Sequence, residues 1–483
     1  MSGSTPPEKL DPSRPGPADA GPAVVPPFVP GADAPTAPVP DAVAPRAHST
    51  TLDDYTDRYS EAMRGMTPSE IRALFSVASR PEVVSLAGGM PFVEALPLQS
   101  IAGLMAEVVA AQGAVALQYG SGQGLPELRE LICEVMDLED ITASPDDVVV
   151  TTGSQQALDM VSRVFLDPGD VVLAEGPSYV GALGTFQAAR AEVVHVPMDA
   201  DGLIPAELRS TLERLQAEGR RAKFLYTVPN FHNPAGVTLS EERRDEVMAL
   251  AEQYDLLVVE DNPYGLLGFE EDPGRALRSR SESRVIYLGS FSKTFAAGLR
   301  VGWVLAPHAV RDKLVMVSEA QVLCPSNLTQ KVVAEYLSKY PWREQIKVFQ
   351  QVYQERRDAM LEALTSHMPE GVTWTHPKGG FYVWLTLPPG WDAKAMVPRA
   401  LAHKVAYVPG VGFYADGDGA RHLRLSYCYP PPERIREGVR RLAGVLEEEA
   451  ELRDTFGALE VRPHSAGGRT ASRGSEAPDP GTV

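Results

Sequence analysis

Short apolar runs alternate with amphipathic helical stretches through the middle of this chain. DVVVTTG leads into SQQALDMVSRVFL, and DVVLAEG leads through a Pro-Ser turn into YVGALGTFQ. AEVVHVPM follows, then KFLYTVPN with a long loop, then EERRDEVMALAEQY running into DLLVVEDN, and then RVIYLGS and RVGWVLA. A strand that is apolar at successive positions has no face to give to water, so it must be covered on both sides. Such strands separated by helices predict an α/β layer with a mostly parallel sheet. After about residue 350 the pattern changes. A long charged helix (VYQERRDAMLEALTSHM) precedes shorter strands (GVTWTHP, GFYVWLTL, VAYVPG, HLRLSYC) and a final helix at PERIREGVRRLAGVLEEE, which predicts a smaller α+β domain. Open α/β sheets bind ligands at the carboxyl ends of their strands, so the loops there are the place to look.

The ends of the chain have another character. Thirteen prolines fall in residues 1–50, where missing donors and fixed φ angles forbid a helix or an internal strand. This stretch reads as a disordered or polyproline-like tail, as does 461–483. The chain carries 45 basic and 64 acidic groups, a net charge of −19. The N-terminal tail contributes 3 − 5 = −2 and the C-terminal tail 3 − 2 = +1, leaving −18 on residues 51–460. An acidic body argues against nucleic acid or an anionic membrane as the main partner. No run approaches ~18 consecutive apolar residues and no secretory leader is visible, so a membrane span is not expected. Cys133, Cys324 and Cys428 are scattered and lack metal-ligand spacing, so no metal site is expected and a reducing cytoplasm fits.

Four strand-end loops carry chemistry-bearing side chains. Thr151-Thr152-Gly153-Ser154-Gln155-Gln156 opens a helix whose N-terminus can face an anion, although a lone Gly-Ser is also an ordinary cap. Pro229-Asn230-Phe231-His232-Asn233-Pro234-Ala235-Gly236 can be a polar turn. Val259-Glu260-Asp261-Asn262-Pro263-Tyr264 sets a carboxylate at a strand end, where burial demands a cationic partner or strong donors; otherwise it is an exposed turn aspartate. Leu288-Gly289-Ser290-Phe291-Ser292-Lys293-Thr294 runs into Gly298-Leu299-Arg300. A lysine in a dry site loses its charge readily and can condense with a carbonyl, and hydroxyls with arginine can hold a phosphate. No Walker-type Gly-Lys-Ser/Thr is present, and Gly120-Ser121-Gly122-Gln123-Gly124 lacks the dinucleotide spacing.

Taken in order, these motifs resemble the fold-type-I pyridoxal-phosphate enzymes. Within them the chain is similar to the class I/II aminotransferases, most closely the 2-aminoadipate and kynurenine group. The resemblance spans about residues 66–450 and includes Ser85-Leu86-Ala87-Gly88-Gly89-Met90-Pro91, Leu117-Gln118-Tyr119-Gly120, Lys378-Gly379-Gly380-Phe381 and Leu423-Arg424-Leu425-Ser426-Tyr427. It implies a large domain (98–345) around a mostly parallel seven-stranded sheet. It also implies a small domain (346–460) and an arm (51–97) joining the small domain and the pocket.

The resemblance also implies roles by position. Lys293 would bind the cofactor, pyridoxal 5′-phosphate, covalently and later move the substrate proton. Asp261 would pair with the ring nitrogen, Asn233 and Tyr264 with the phenolic oxygen, and Tyr179 would stack on the ring. Ser154, Gln155, Ser290, Ser292 and Arg300 would hold the phosphate. Tyr119 would reach the phosphate of a neighbouring subunit, implying a homodimer with shared sites. Arg424 lies in an apolar strand and needs an anionic partner; by resemblance that is the substrate α-carboxylate, with Gly88 letting the backbone approach it. Arg72, on a short helix after Pro68, would meet a distal carboxylate, or is a surface arginine.

The activity implied is amino transfer from an L-2-amino acid to a 2-oxo acid, with 2-oxoglutarate as the family's habitual acceptor, in alternating half-reactions. The same scaffold also supports β-elimination, decarboxylation or cyclisation. A third class, the MocR-type regulators, joins this domain to a DNA-binding winged helix. Residues 1–50 show no helix-turn-helix pattern, which argues against it.

Overall fold

The computed structural model describes Tyr55 and residues 58–66, 80–270 and 274–456. Both proline-rich tails and the 67–74 segment with Arg72 lie outside the described residues. Backbone contacts divide the chain into 1–58 and Tyr59–Val483, and the second unit carries the elements that follow.

The strands in chain order are β1 (Val84–Ser85), β2 (Val148–Thr151), β3 (Val171–Gly176), β4 (Glu192–Asp199), β5 (Gly202–Leu203), β6 (Ala222–Thr227) and β7 (Leu257–Asp261). They continue with β8 (Val285–Ser290), β9 (Gly302–Leu305), β10 (Thr373–Trp374), β11 (Tyr382–Thr386), β12 (Val405–Ala406), β13 (Val408–Pro409) and β14 (His422–Ser426). The large sheet has the order β2-β9-β8-β7-β6-β3-β4-β5. From β8 through β7, β6 and β3 to β4 the neighbours are parallel, whereas β9 runs against both β8 and β2. Seven of these strands answer the expected sheet. The eighth, β5, is a two-residue return after β4 whose length leaves no periodicity to read.

Alternating strand side chains explain the uninterrupted apolar runs. Val172, Ala174, Phe224 and Ile286 pack with Ala157, Leu158 and Val161 of the helix Ser154–Phe165. Val171, Leu173, Leu225 and Val285 face the other way, onto Leu208, Leu212 and Val247 of the helices Pro205–Ala217 and Glu241–Gln253. Each fully buried aliphatic side chain contributes about 1.5–3 kcal/mol. The smaller sheet, β10-β11-β14-β13, is antiparallel and packs with the long helices Trp342–His367 and Pro432–Phe456. β1 pairs in parallel with β12, which ties residues 84–85 to the small-domain side.

One helix is unusually open to solvent for its composition. Leu98–Ala116 is long and apolar enough to cross a membrane by length and composition, yet only 17% of its most apolar 18-residue stretch is buried. Gln99, Ser100, Glu107 and Gln112 interrupt every run of consecutive apolar residues, so a search for unbroken runs passes over it.

Candidate active site

The carboxyl ends of β2, β3, β6, β7 and β8 converge on a cavity of about 290 Å³. Gly153, just after β2, adopts φ 98° and precedes the helix that Ser154 opens. A Cβ at Gly153 would lie 2.4 Å from Arg300 Nη2, so glycine is what lets that guanidinium in. Arg300 itself adopts φ 54°, ψ 53°, a left-handed conformation that costs a non-glycine residue on the order of 1–2 kcal/mol. Its Nη2 donates to Thr152 O at 2.9 Å and its Nη1 to Ser292 Oγ at 3.3 Å. Ser290 Oγ donates to Ser292 Oγ at 2.8 Å and accepts from the Ser292 N–H at 3.0 Å. Two hydroxyls, a guanidinium and a helix N-terminus thus form a cradle for a phosphate-like anion.

Across the cavity, Asp261 ends β7 and is buried. Tyr226 Oη donates to its Oδ2 at 2.7 Å, while Oδ1 is buried with no partner. Burial pushes the Asp261 carboxyl up to about 6, against the lowering effect of the Tyr226 hydrogen bond. A buried orphan acceptor carries a desolvation cost of about 1–3 kcal/mol unless a donor arrives.

Lys293 sits between these groups, with its surface partly open to the cavity and its surroundings otherwise protein. Burial lowers its ammonium to about 8; Cys428 opposes the shift, and Arg424 and Arg300 reinforce it. Nζ donates to Gly89 O at 2.8 Å. Arg424, on β14, is buried and donates from Nη1 to Asn233 Oδ1 at 2.9 Å and from Nη2 to Ala87 O at 2.8 Å. Its Nε has no partner, and the guanidinium lies over the Tyr382 ring, 4.2 Å from the centroid. Tyr179 Oη donates to Gln155 Oε1 at 3.3 Å, and burial pushes the phenol up to about 12.

Ser154, Gln155, Tyr179, Asn233, Asp261, Tyr264, Ser290, Ser292, Lys293, Arg300 and Arg424 all line the one cavity. Two expected residues do not. Gly89 rather than Gly88 borders it, and a Cβ on Gly88 would meet open space. Tyr119 is 76% exposed, and Arg72 lies outside the described residues. Two residues escaped the sequence reading. Tyr226 was legible as a hydroxyl-bearing residue in an apolar strand. Tyr382, whose hydroxyl lies 3.5 Å from that of Tyr264, gave no signal in Gly-Gly-Phe-Tyr. A larger cleft of about 890 Å³, bordered by Trp374, Trp384 and Tyr414, contains none of the expected site residues. No group of three or more metal-ligating side chains occurs among the described residues.

A cavity with a lysine, a buried carboxylate and an anion cradle fits a phosphorylated aldehyde cofactor. The family model for aminotransferase class I and II matches residues 81–442, and the chain belongs to that family. It is 44% identical over 399 residues to aromatic-amino-acid aminotransferase 1 of Thermococcus litoralis, covering 82% of this chain and 95% of that protein. It is 38% identical over 397 residues to the 2-aminoadipate transaminase of Thermus thermophilus, covering 81% and 97%. The crystal structure of Pyrococcus horikoshii kynurenine aminotransferase, in complex with PMP, superposes with TM-score 0.79 at 40% identity, covering 82% of this chain and 99% of that one. This chain is therefore a pyridoxal-phosphate-dependent amino acid aminotransferase.

Proposed function

We propose that the chain transfers the amino group of an aromatic, branched-chain or 2-aminoadipate-like L-amino acid to a 2-oxo acid, with 2-oxoglutarate as acceptor, by a ping-pong route through Lys293. The observation that carries this reading is the orphan Asp261 Oδ1 in the cavity that also holds the low-pKa Lys293. The residues fit pyridoxal phosphate: Asp261 Oδ1 would accept from the ring nitrogen, and the Ser290–Ser292–Arg300 cradle with Ser154 and Gln155 would take the phosphate. Bound there, the cofactor supplies an electron sink for the substrate Cα.

The chain's own residues then divide the work. Arg424 and Asn233 orient the α-carboxylate, and the free Nε keeps a donor in reserve. Lys293 Nζ, whose ammonium burial lowers to about 8, would take the proton from the substrate Cα in its neutral form and hold it for return. Tyr264 and Asn233 would hold the ring's phenolic oxygen, and Tyr179 would cover the ring face. Gly89 borders the substrate side, and Arg72 would meet a distal carboxylate. Initial rates over a panel of donors with 2-oxoglutarate test the reading: parallel double-reciprocal lines support it, and a ternary-complex pattern removes it.

The assembly we propose is a cytoplasmic homodimer in which Tyr119 reaches the partner's phosphate cradle. Support comes from the apolar surface around Leu98–Ala116, where Leu98, Val109, Val115 and the following Leu117 are all exposed in the single chain. Large apolar side chains left open to solvent are what an interface between copies would cover.

A further inference from the structure

Glu175 is a buried carboxylate on β3 that the chemistry above does not use. Its Oε1 accepts from Thr227 Oγ1 at 2.8 Å and its Oε2 from the Val228 N–H at 2.9 Å. His232 Nε2 lies 3.1 Å from Oε2, aligned too poorly for a full hydrogen bond, so that contact is mainly electrostatic. The Ala235 N–H points at His232 Nδ1 at 3.3 Å; a backbone amide can only donate, so the ring proton sits on Nε2, facing the carboxylate. On the other side of Glu175, its carbonyl oxygen is 2.9 Å from His195 Nδ1, and a carbonyl can only accept. His195 Nε2 in turn accepts from the Ala415 N–H at 2.9 Å, on the loop that follows β13.

We propose that Glu175 and His232, braced by His195, are positioning residues that set the orientation of Asn233. Both hydrogen-bond donors to the carboxylate come from where β6 ends, and His232, immediately before Asn233, lies against it, while the β3 end that carries Glu175 leads directly to Tyr179. A charge buried for stability alone is replaceable by apolar packing at little cost. This one draws together three segments that enter the cavity and links them to the small-domain loop. Asn233 Oδ1 meets Arg424 at 2.9 Å, so a rotated Asn233 releases the guanidinium that orients the substrate carboxylate.

The inference rests on the reading that Asn233 touches cofactor and substrate. Its test uses purified holoenzyme of His232→Leu, His232→Gln, Glu175→Gln and Asn233→Ala. Three quantities are measured: the pH midpoint of the cofactor's visible band without substrate, KM and kcat for one donor, and Tm. His232→Leu is expected to move the midpoint in the same direction as Asn233→Ala and to raise KM about ten-fold, since misplacement of order 1 Å costs up to ~100-fold. His232→Gln, which keeps a donor near Nε2, recovers most of the KM. A His232→Leu protein with lower Tm but unchanged midpoint and KM overturns the inference while leaving the Asn233 reading intact. An Asn233→Ala midpoint that stays in place overturns that reading and the inference with it. Should the leucine variant not fold, Glu175→Gln is held to the same criteria.

Discussion

Tyr226 donates to Asp261 Oδ2 and leaves Oδ1 buried without a partner, so one oxygen is fixed by the fold and the other is kept for a ligand. The hydrogen bond lowers a carboxyl that burial raises to about 6. Below that pH Oδ1 becomes protonated and cannot accept. Cofactor affinity of the cofactor-free protein therefore falls as pH drops through about 6. Tyr226→Phe moves this limb upward by about one unit, the equivalent of ~1.4 kcal/mol. Equilibrium titration with pyridoxal phosphate between pH 5 and 8 measures it, and an unmoved limb counts against the pairing.

Arg424 offers two fixed donors and a flat cation over the Tyr382 ring, which a lysine cannot reproduce. Arg424→Lys should raise KM for every donor about 100-fold and change kcat much less, as expected for loss of a bidentate carboxylate pair. Steady-state kinetics with a neutral and an acidic donor check this.

Glu139 is buried and accepts from Tyr287 Oη at 2.7 Å and from Asn262 Nδ2. Burial raises its carboxyl from 4.5 to about 7. The folded state thus holds this proton more tightly than the unfolded chain does. The resulting stability is complete below about pH 4.5 and is lost as pH rises through 7, on the order of 3 kcal/mol in all. Urea unfolding of the wild type and Glu139→Gln at pH 5 and pH 8 should show a smaller difference between the two pH values for the variant.

Val109 is 44% exposed on the apolar helix Leu98–Ala116. If that helix is the interface between copies, Val109→Asp should shift the protein toward monomer by light scattering and lower activity in step with the dimer fraction. A dimer that survives unchanged would place the interface elsewhere.

Much of this site was legible because its parts lie at strand ends and recur in a fixed order. Asp261 ends one apolar run, and Ser290, Lys293 and Arg300 lie in the segment between two others. The same signal was present at Glu175, a charge inside DVVLAEG, and at Tyr226 in KFLYTV, but it says only that a partner exists. Which partner depends on strand order: β3 and β6 are adjacent in the sheet although 45 residues separate their ends at Gly176 and Ala222 at the closest. Tyr382 gave no signal because an aromatic residue in a core strand is ordinary. The exposed face of Leu98–Ala116 was missed because scattered polar residues hide its hydropathy from a count of consecutive positions.

The most direct test of the account is a single half-reaction. Purified, cofactor-loaded protein is mixed with excess amino donor and no 2-oxo acid acceptor. Amino transfer through Lys293 predicts one equivalent of 2-oxo acid per site, a complete change in the cofactor's visible band, and no ammonia or carbon dioxide. Addition of 2-oxoglutarate should restore the band, and Lys293→Ala should show no conversion although it still binds cofactor non-covalently. Continuous turnover of the donor without acceptor, releasing ammonia or carbon dioxide, would contradict the account.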